Sequence, residues 1–177
     1  MDFLLIANIA LGVLALIFYI VMLANQFWIK VVQNNSSITW LTLKGFLFII
    51  NGQTTTASFG ENGTCNSDCE TMKNASNTVM AFLIISLLIV LLVCVVHILL
   101  KFEIISFELK LPLRVVSVIL IVLSILNPII YSATVLRLAK KNFSIADVGA
   151  NYVLLWLTIP ITIAFSVLNE MNIRTKQ

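Results

Sequence analysis

Three cysteines and a single histidine are the residues best equipped for chemistry in this 177-residue chain. Cys65-Asn66-Ser67-Asp68-Cys69 sets two thiols four positions apart. The expectation is a structural disulfide that closes a tight loop. A thiol–disulfide redox pair is the weaker alternative, because such pairs ordinarily use Cys-x-x-Cys and this spacing holds an extra residue. A metal site would need further ligands, and none lies nearby. Cys94 and His97 are three residues apart, on one face of a helix. Against a catalytic or metal pair stands a plainer reading: Cys94 packs as a small apolar residue, and His97 reaches interface water or a neighbouring carbonyl. No Gly-rich phosphate loop, paired catalytic carboxylates or nucleophile elbow is visible. The expectation is a non-enzyme, with no catalytic residue, metal ligand or cofactor.

The elements that must position these residues are membrane elements. The chain is 60% hydrophobic and only 11% charged, whereas soluble domains carry about 25% charged residues. A bilayer core of about 30 Å needs roughly 20 apolar residues per helix. Four stretches lack charge over that length: residues 3–27, 79–100, 115–136 and 148–169. They leave a large loop at 30–78, a linker at 101–114, a short loop at 137–147 and a tail at 170–177. The whole chain reads as one four-span membrane domain. Its first helix lacks a basic n-region and exceeds a usual h-region, so it reads as an uncleaved anchor. The net charge of +3 is scattered, which suits helix-flanking anchors and excludes a nucleic-acid surface.

Basic residues divide almost evenly between the two sides, so they do not orient the chain. The large loop does. It holds Cys65, Cys69 and all the acceptor sequons, at Asn34, Asn35, Asn62 and Asn74, which favours an extracellular loop and cytosolic termini. Within it, Ile38–Ile50 is rich in strand-favouring residues. Asn51-Gly52 signals a hairpin turn, and Gln53–Phe59 can return antiparallel. A small antiparallel sheet on the membrane surface is expected from this loop.

Inside the spans the polar residues include Asn8, Ser117, Ser124, Asn127, Tyr131 and Thr158, with no mid-span Asp, Glu, Lys or Arg. That argues against a proton-coupled transporter. Ser117, Ser124 and Tyr131 recur every seven residues on one face, and Asn8, Gly12 and Ala15 share another. Both faces read as packing seams with hydrogen-bond glue, and Asn127-Pro128 predicts a kink in the third span.

Several motifs carry a family resemblance. Trp28, just past the first span, resembles the first-loop Trp of the claudin superfamily, which also includes peripheral myelin proteins and calcium-channel gamma subunits. Lys44-Gly45-Phe46-Leu47-Phe48 is similar to that family's Gly-Leu-Trp stretch. Asp147-Val148-Gly149-Ala150-Asn151-Tyr152 through Trp156 resembles the start of its fourth span. Asn127-Pro128 sits where some claudins bend the third span. The chain departs from the pattern at Leu47-Phe48, where the motif Trp is replaced, and at Cys65 and Cys69, which are closer together than the family pair. The resemblance implies an all-α membrane fold: a four-helix bundle topped by a small extracellular sheet, with Trp28, Trp40 and Phe46–Phe48 anchoring that sheet to helices or bilayer. It also implies a plasma-membrane protein acting in cell-surface or cell–cell association, in junction-like assemblies or a paracellular barrier. Its partners would be the lipid bilayer and itself or another membrane protein, with a homo-oligomer as one form. The alternatives are an accessory subunit of an ion channel or receptor and, more remotely, a membrane thiol oxidoreductase.

Overall fold

Each apolar stretch folds as a helix, and three of the four helices run well beyond it. The computed structural model describes residues 3–25, 28–33, 37–50, 53–58, 67–102, 110–142 and 145–175. Helix α1 is Phe3–Ala24, α2 is Ser67–Lys101, and α3 is Lys110–Ile130. Helix α3 continues through a π-helical segment, Tyr131–Leu136, into α4, Arg137–Asn142; α5 is Ala150–Thr175. These supply four helices long and apolar enough to cross a membrane. At 35 residues, α2 is about 52 Å long and overruns a ~30 Å hydrocarbon core. Its first three turns, with Asp68 and Glu70 suited to the positive end of the helix dipole, therefore occupy the end of what reads in sequence as loop. Hydropathy marks where a helix is greasy, whereas backbone hydrogen bonding lets it continue through polar residues.

The helices are apolar outward and polar inward. Leu88, Val118, Val153 and other large aliphatic side chains are exposed along all four. The buried faces instead carry Asn8, Ser86, Ser124, Asn127, Thr162 and Asn169. That inverted distribution suits hydrocarbon, where outward aliphatics cost nothing and polar groups must find partners inside. It is compatible with a multi-pass membrane protein.

Spacing makes the inward faces fit one another. Buried positions on α1 are Leu5, Asn8, Gly12, Ala15, Tyr19 and Met22, alternating intervals of three and four. The same alternation runs from Met72 to His97 on α2 and from Asn151 to Asn172 on α5. It is the seam of left-handed helix packing. The helices close into a ring in which α1 adjoins α2 and α5, and α3 adjoins the same two. On α3 the alternation holds from Leu113 to Tyr131, then lengthens to Val135 and Ala139. The wide π turn absorbs the added residue and keeps these side chains facing the core. It follows Pro128, which has no N–H to give the helix ladder. A change in helical winding thus lies just after Asn127-Pro128, where the sequence predicts a kink. The Ser132 hydroxyl donates to the Pro128 carbonyl, and the Thr134 hydroxyl to that of Ile130.

Above the bundle lies a five-stranded antiparallel sheet in the order β4-β3-β2-β1-β5. Its strands are β1 (Ile29–Gln33), β2 (Ser37–Leu41), β3 (Gly45–Ile50), β4 (Gln53–Ser58) and β5 (Ile145–Val148). Ile50 pairs with Gln53, so β3 and β4 form the antiparallel return expected around Asn51-Gly52, residues outside the described set. Two differences from the sequence reading stand out. The run 38–50 breaks into two strands where the Thr42 hydroxyl accepts from the Lys44 and Gly45 amides, at 3.1 and 3.0 Å. Gly45 is required there: its φ is +154°, and a Cβ would lie 2.1 Å from the Ala57 carbonyl oxygen. The sheet also draws on both loops, since β5 comes from the short one and pairs with β1 from Ile29↔Val148 to Val32↔Ile145. A four-residue strand between two helices carries too little pattern to announce itself.

Gly12 marks a close approach of α1 to both of its neighbours. A Cβ there would fall 2.4 Å from Cys94 Sγ on α2 and 3.0 Å from Phe165 Cε2 on α5. Gly12→Ala is therefore expected to destabilise the protein by about 1–3 kcal/mol through overpacking. Adding Cys94→Ala removes the sulfur and should recover about 1 kcal/mol, a coupling measured by a double-mutant unfolding cycle in detergent. Strict additivity would show that the sulfur is not the obstacle.

Candidate functional site

Four aromatic residues mark the corner where sheet meets bundle. Trp28 enters β1 with its ring fully buried, 5.0 Å from the Tyr131 ring at the first residue of the π segment. Tyr131 in turn lies 6.2 Å from Tyr152, and Tyr152 meets Trp156 edge-on at 6.5 Å. The rings form a row from the buried interior to the exposed Trp156, at separations that favour tilted aromatic pairs. Trp28 is thus an anchor to helices; its ring does not reach the bilayer.

Polar bonds hold the same corner. The Gly149 amide donates to the Trp28 carbonyl at 2.8 Å, which extends the β1–β5 ladder into the start of α5. The Asn25 carbonyl accepts from Trp28 Nε1 at 3.3 Å and from Asn151 Nδ2 at 3.0 Å. The Ser132 and Tyr152 hydroxyls are 2.9 Å apart. Near the head of the bundle, Lys141 on α4 reaches Asp68 on α2 at 2.9 Å. That pair is largely exposed, so it contributes at most about 1 kcal/mol.

The arrangement gathers some of the sequence candidates and scatters others. Trp28, Tyr131, Gly149, Tyr152 and Trp156 come together. Trp40, Gly45, Phe46 and Phe48 instead sit in β2 and β3, where Trp40 opposes Lys30 on β1 and Leu47 on β3. Phe46 packs partly buried against the main core. Ser124 meets Thr162 of α5 at 2.9 Å across the bundle. Asn8 and Asn127 are buried in the packing faces, and Pro128 precedes the π turn. Cys94 and His97 share the inward face of α2: His97 Nδ1 donates to the Val93 carbonyl at 2.9 Å, and Cys94 faces Gly12. Cys69 packs against the core near the start of α2. Cys65 is outside the described residues, and so are the Cys65–Cys69 link and the sequons at Asn34, Asn35 and Asn62. Asn74 is exposed on α2, while Ser76 of its sequon is buried.

No protein-family model matches this chain, and no curated protein matches it. The four apolar helices and small antiparallel sheet fit a four-span, claudin-like layout.

The surface this corner supports is the sheet, whose far edge among the described residues is β4. That strand reads Gln-Thr-Thr-Thr-Ala-Ser, with no charge and no proline, and Thr55 and Thr56 are exposed. Proteins usually guard a sheet edge with lysine, proline or a bulge. The opposite edge, β5, is shorter and adjoins α4. Asn25, Asn151, Ser132 and the Asp68–Lys141 pair were not singled out from sequence. Asn151 left a trace there as a polar residue inside the Asp147–Trp156 motif, and Asp68 as part of the Cys65–Cys69 segment.

The corner makes a graded prediction for unfolding in detergent followed by circular dichroism. Trp28→Ala should cost about 3–5 kcal/mol, as a large buried ring is lost. Tyr152→Phe should cost about 0.5–1.5 kcal/mol with its bond to Ser132. The buried Tyr131 hydroxyl has no partner among the described residues, so Tyr131→Phe should be neutral or stabilising. A Tyr131→Phe loss as large as that of Tyr152→Phe would contradict this account of the corner.

Proposed function

We propose that the chain is a non-enzymatic, claudin-like plasma-membrane protein whose sheet associates with neighbouring proteins at the cell surface. One observation carries this reading: a threonine-rich, uncharged strand at the sheet's edge among the described residues, in a protein with four membrane-length helices. An open edge adds a strand from a partner through main-chain hydrogen bonds. Uncharged threonines admit that pairing without a desolvation penalty for charge. A second copy of the chain is the simplest partner, since β4 can pair with itself antiparallel about a two-fold axis. Self-association of this kind is the elementary step of a junction-like assembly or barrier.

Crosslinking in native membranes tests the edge. Wild-type protein should yield dimers and larger multiples. Thr55→Lys/Thr56→Lys, which places like charges opposite each other in the paired edge, should reduce them to background. Undiminished multiples in that variant would remove β4 as the contact. Capture of a larger channel protein in place of a second copy would favour an accessory-subunit role.

The sheet is proposed to face the cell exterior, with both chain termini in the cytosol. Glycosidase treatment of protein from secretory cells should increase gel mobility, and replacing Asn34, Asn35 and Asn62 with Gln should abolish the shift. An unglycosylated wild-type protein would withdraw support for that orientation.

A further inference from the structure

At the end of the bundle opposite the sheet, α3 and α5 form a groove of about 460 Å³. Glu170 is the one carboxylate among its described lining residues, and two arginines hold it. Arg114 donates through Nε and Nη2, both at 2.8 Å, and Arg174 through Nε at 2.9 Å. The acid is the most covered of the three: its side chain is 30% exposed, against 46% for Arg114 and 71% for Arg174. The guanidiniums thus lie outward of the carboxylate they bind. Each guanidinium has five N–H donors. Among the described residues, no hydrogen bond uses Arg114 Nη1 or either Nη of Arg174. Two cations on one anion also leave the mouth with one net positive charge. From there the lining turns aliphatic, with Val118 and Val167 exposed outward and Ile121 beyond them. Ile121 lies seven residues past Arg114, about 10 Å along α3.

A cationic mouth with an aliphatic wall running from it matches a molecule that is anionic at one end and hydrocarbon at the other. We propose that the groove seats an anionic glycerophospholipid of the leaflet opposite the sheet. Its phosphate takes the outward N–H groups of Arg114 and Arg174, and one acyl chain follows Val118, Ile121 and Val167. Guanidinium forks match phosphate oxygens in pairs. The depth also fits. Arg114 and Arg174 lie near the ends of the membrane-length helices Pro112–Lys141 and Ala150–Arg174, where headgroups meet basic anchors. Charge then selects among phospholipids. A zwitterionic headgroup brings a cation along with its phosphate, and the carboxylate that would receive that cation is already held by two arginines. A headgroup with an uncompensated phosphate supplies the charge this mouth lacks, the attraction by which juxtamembrane arginines gather anionic lipid. The inference requires the four helices to lie in a bilayer and is independent of what the sheet contacts.

Phosphatidylglycerol and phosphatidylcholine of matched chain length are the probes, because they share phosphate and acyl chains and differ in net charge. Retention of each on the full-length protein is measured by native mass spectrometry from detergent. The wild type should retain phosphatidylglycerol about fivefold better, the effect of one uncompensated arginine. Arg174→Gln, at an exposed position, should bring the two lipids to parity. Glu170→Gln releases both guanidiniums and should raise the preference above the wild type, whereas a carboxylate that only clasps the helices would give no gain. Val167→Trp fills the groove without altering charge and should lower retention of phosphatidylglycerol. Lys101→Gln removes the same charge at the same end of the bundle, outside the groove, and should leave the preference standing. Equal retention by the wild type, no gain in Glu170→Gln, a preference that survives Arg174→Gln, undiminished retention in Val167→Trp, or a loss in Lys101→Gln as large as that in Arg174→Gln would overturn the proposal.

Discussion

The contact of Trp28 with Tyr131 is the joint on which the molecule turns. Five short strands make too small a sheet to stand alone in water without a face to pack on. Trp28, Ile29, Val31, Leu41 and Leu43 belong to one contiguous core with α2 residues Met72, Ala75 and Val79 and with Tyr131. The sheet's stability is therefore borrowed from the bundle. The Gly149–Trp28 backbone bond sets the register at which this happens, and the π turn presents Tyr131 to it. Disturb that turn and the ring moves away from the indole; the strands are affected even though none of them has changed.

Below the joint a different balance rules. Aliphatic surfaces gain nothing by leaving lipid, so close approach and hydrogen bonds must hold the helices together. Gly12 supplies the approach between α1 and its two neighbours. Between α3 and α5 the hydrogen bonds do the work: Thr162 donates to Ser124, and Asn169 to Ser117. At the mouth of that seam the Arg114–Glu170–Arg174 cluster continues the same polar line to the membrane edge. The seam is polar where it needs partners and apolar where it meets chains of hydrocarbon.

Much of this was legible in the residues. Uninterrupted apolar runs located all four helices, and the recurrence of Ser117, Ser124 and Tyr131 located the inner face of α3. Asn51-Gly52 announced a hairpin, and β3 and β4 pair across it. Other features had no local signal. β5 is four residues long and exists because β1 offers it an edge, a partner more than a hundred residues away. Polar turns at Ser67–Thr78 and Glu170–Thr175 remain helical because backbone bonding is indifferent to hydropathy. Trp28, Tyr152 and Trp156 were recognisable as motif residues, but their assembly around Tyr131 depends on how two distant segments cross. Asn169 looked like the end of a span, and only the structure shows that it bonds Ser117 on α3.

The pairing of β1 with β5 also imposes an order on biosynthesis. Strand β1 is complete at Gln33, but its partner begins at Ile145. At roughly 5–20 residues per second, translation takes about ten seconds to cover that interval. Throughout that time the edge of β1 that β5 will occupy is unpaired while the first three membrane-length helices are already made. The nascent chain must be shielded there, or held by its own β2, until the last helical hairpin arrives. Closing the sheet thus depends on the helices made before β5, because only a chain whose first three membrane-length helices are correctly threaded can bring Ile145–Val148 alongside Ile29–Val32.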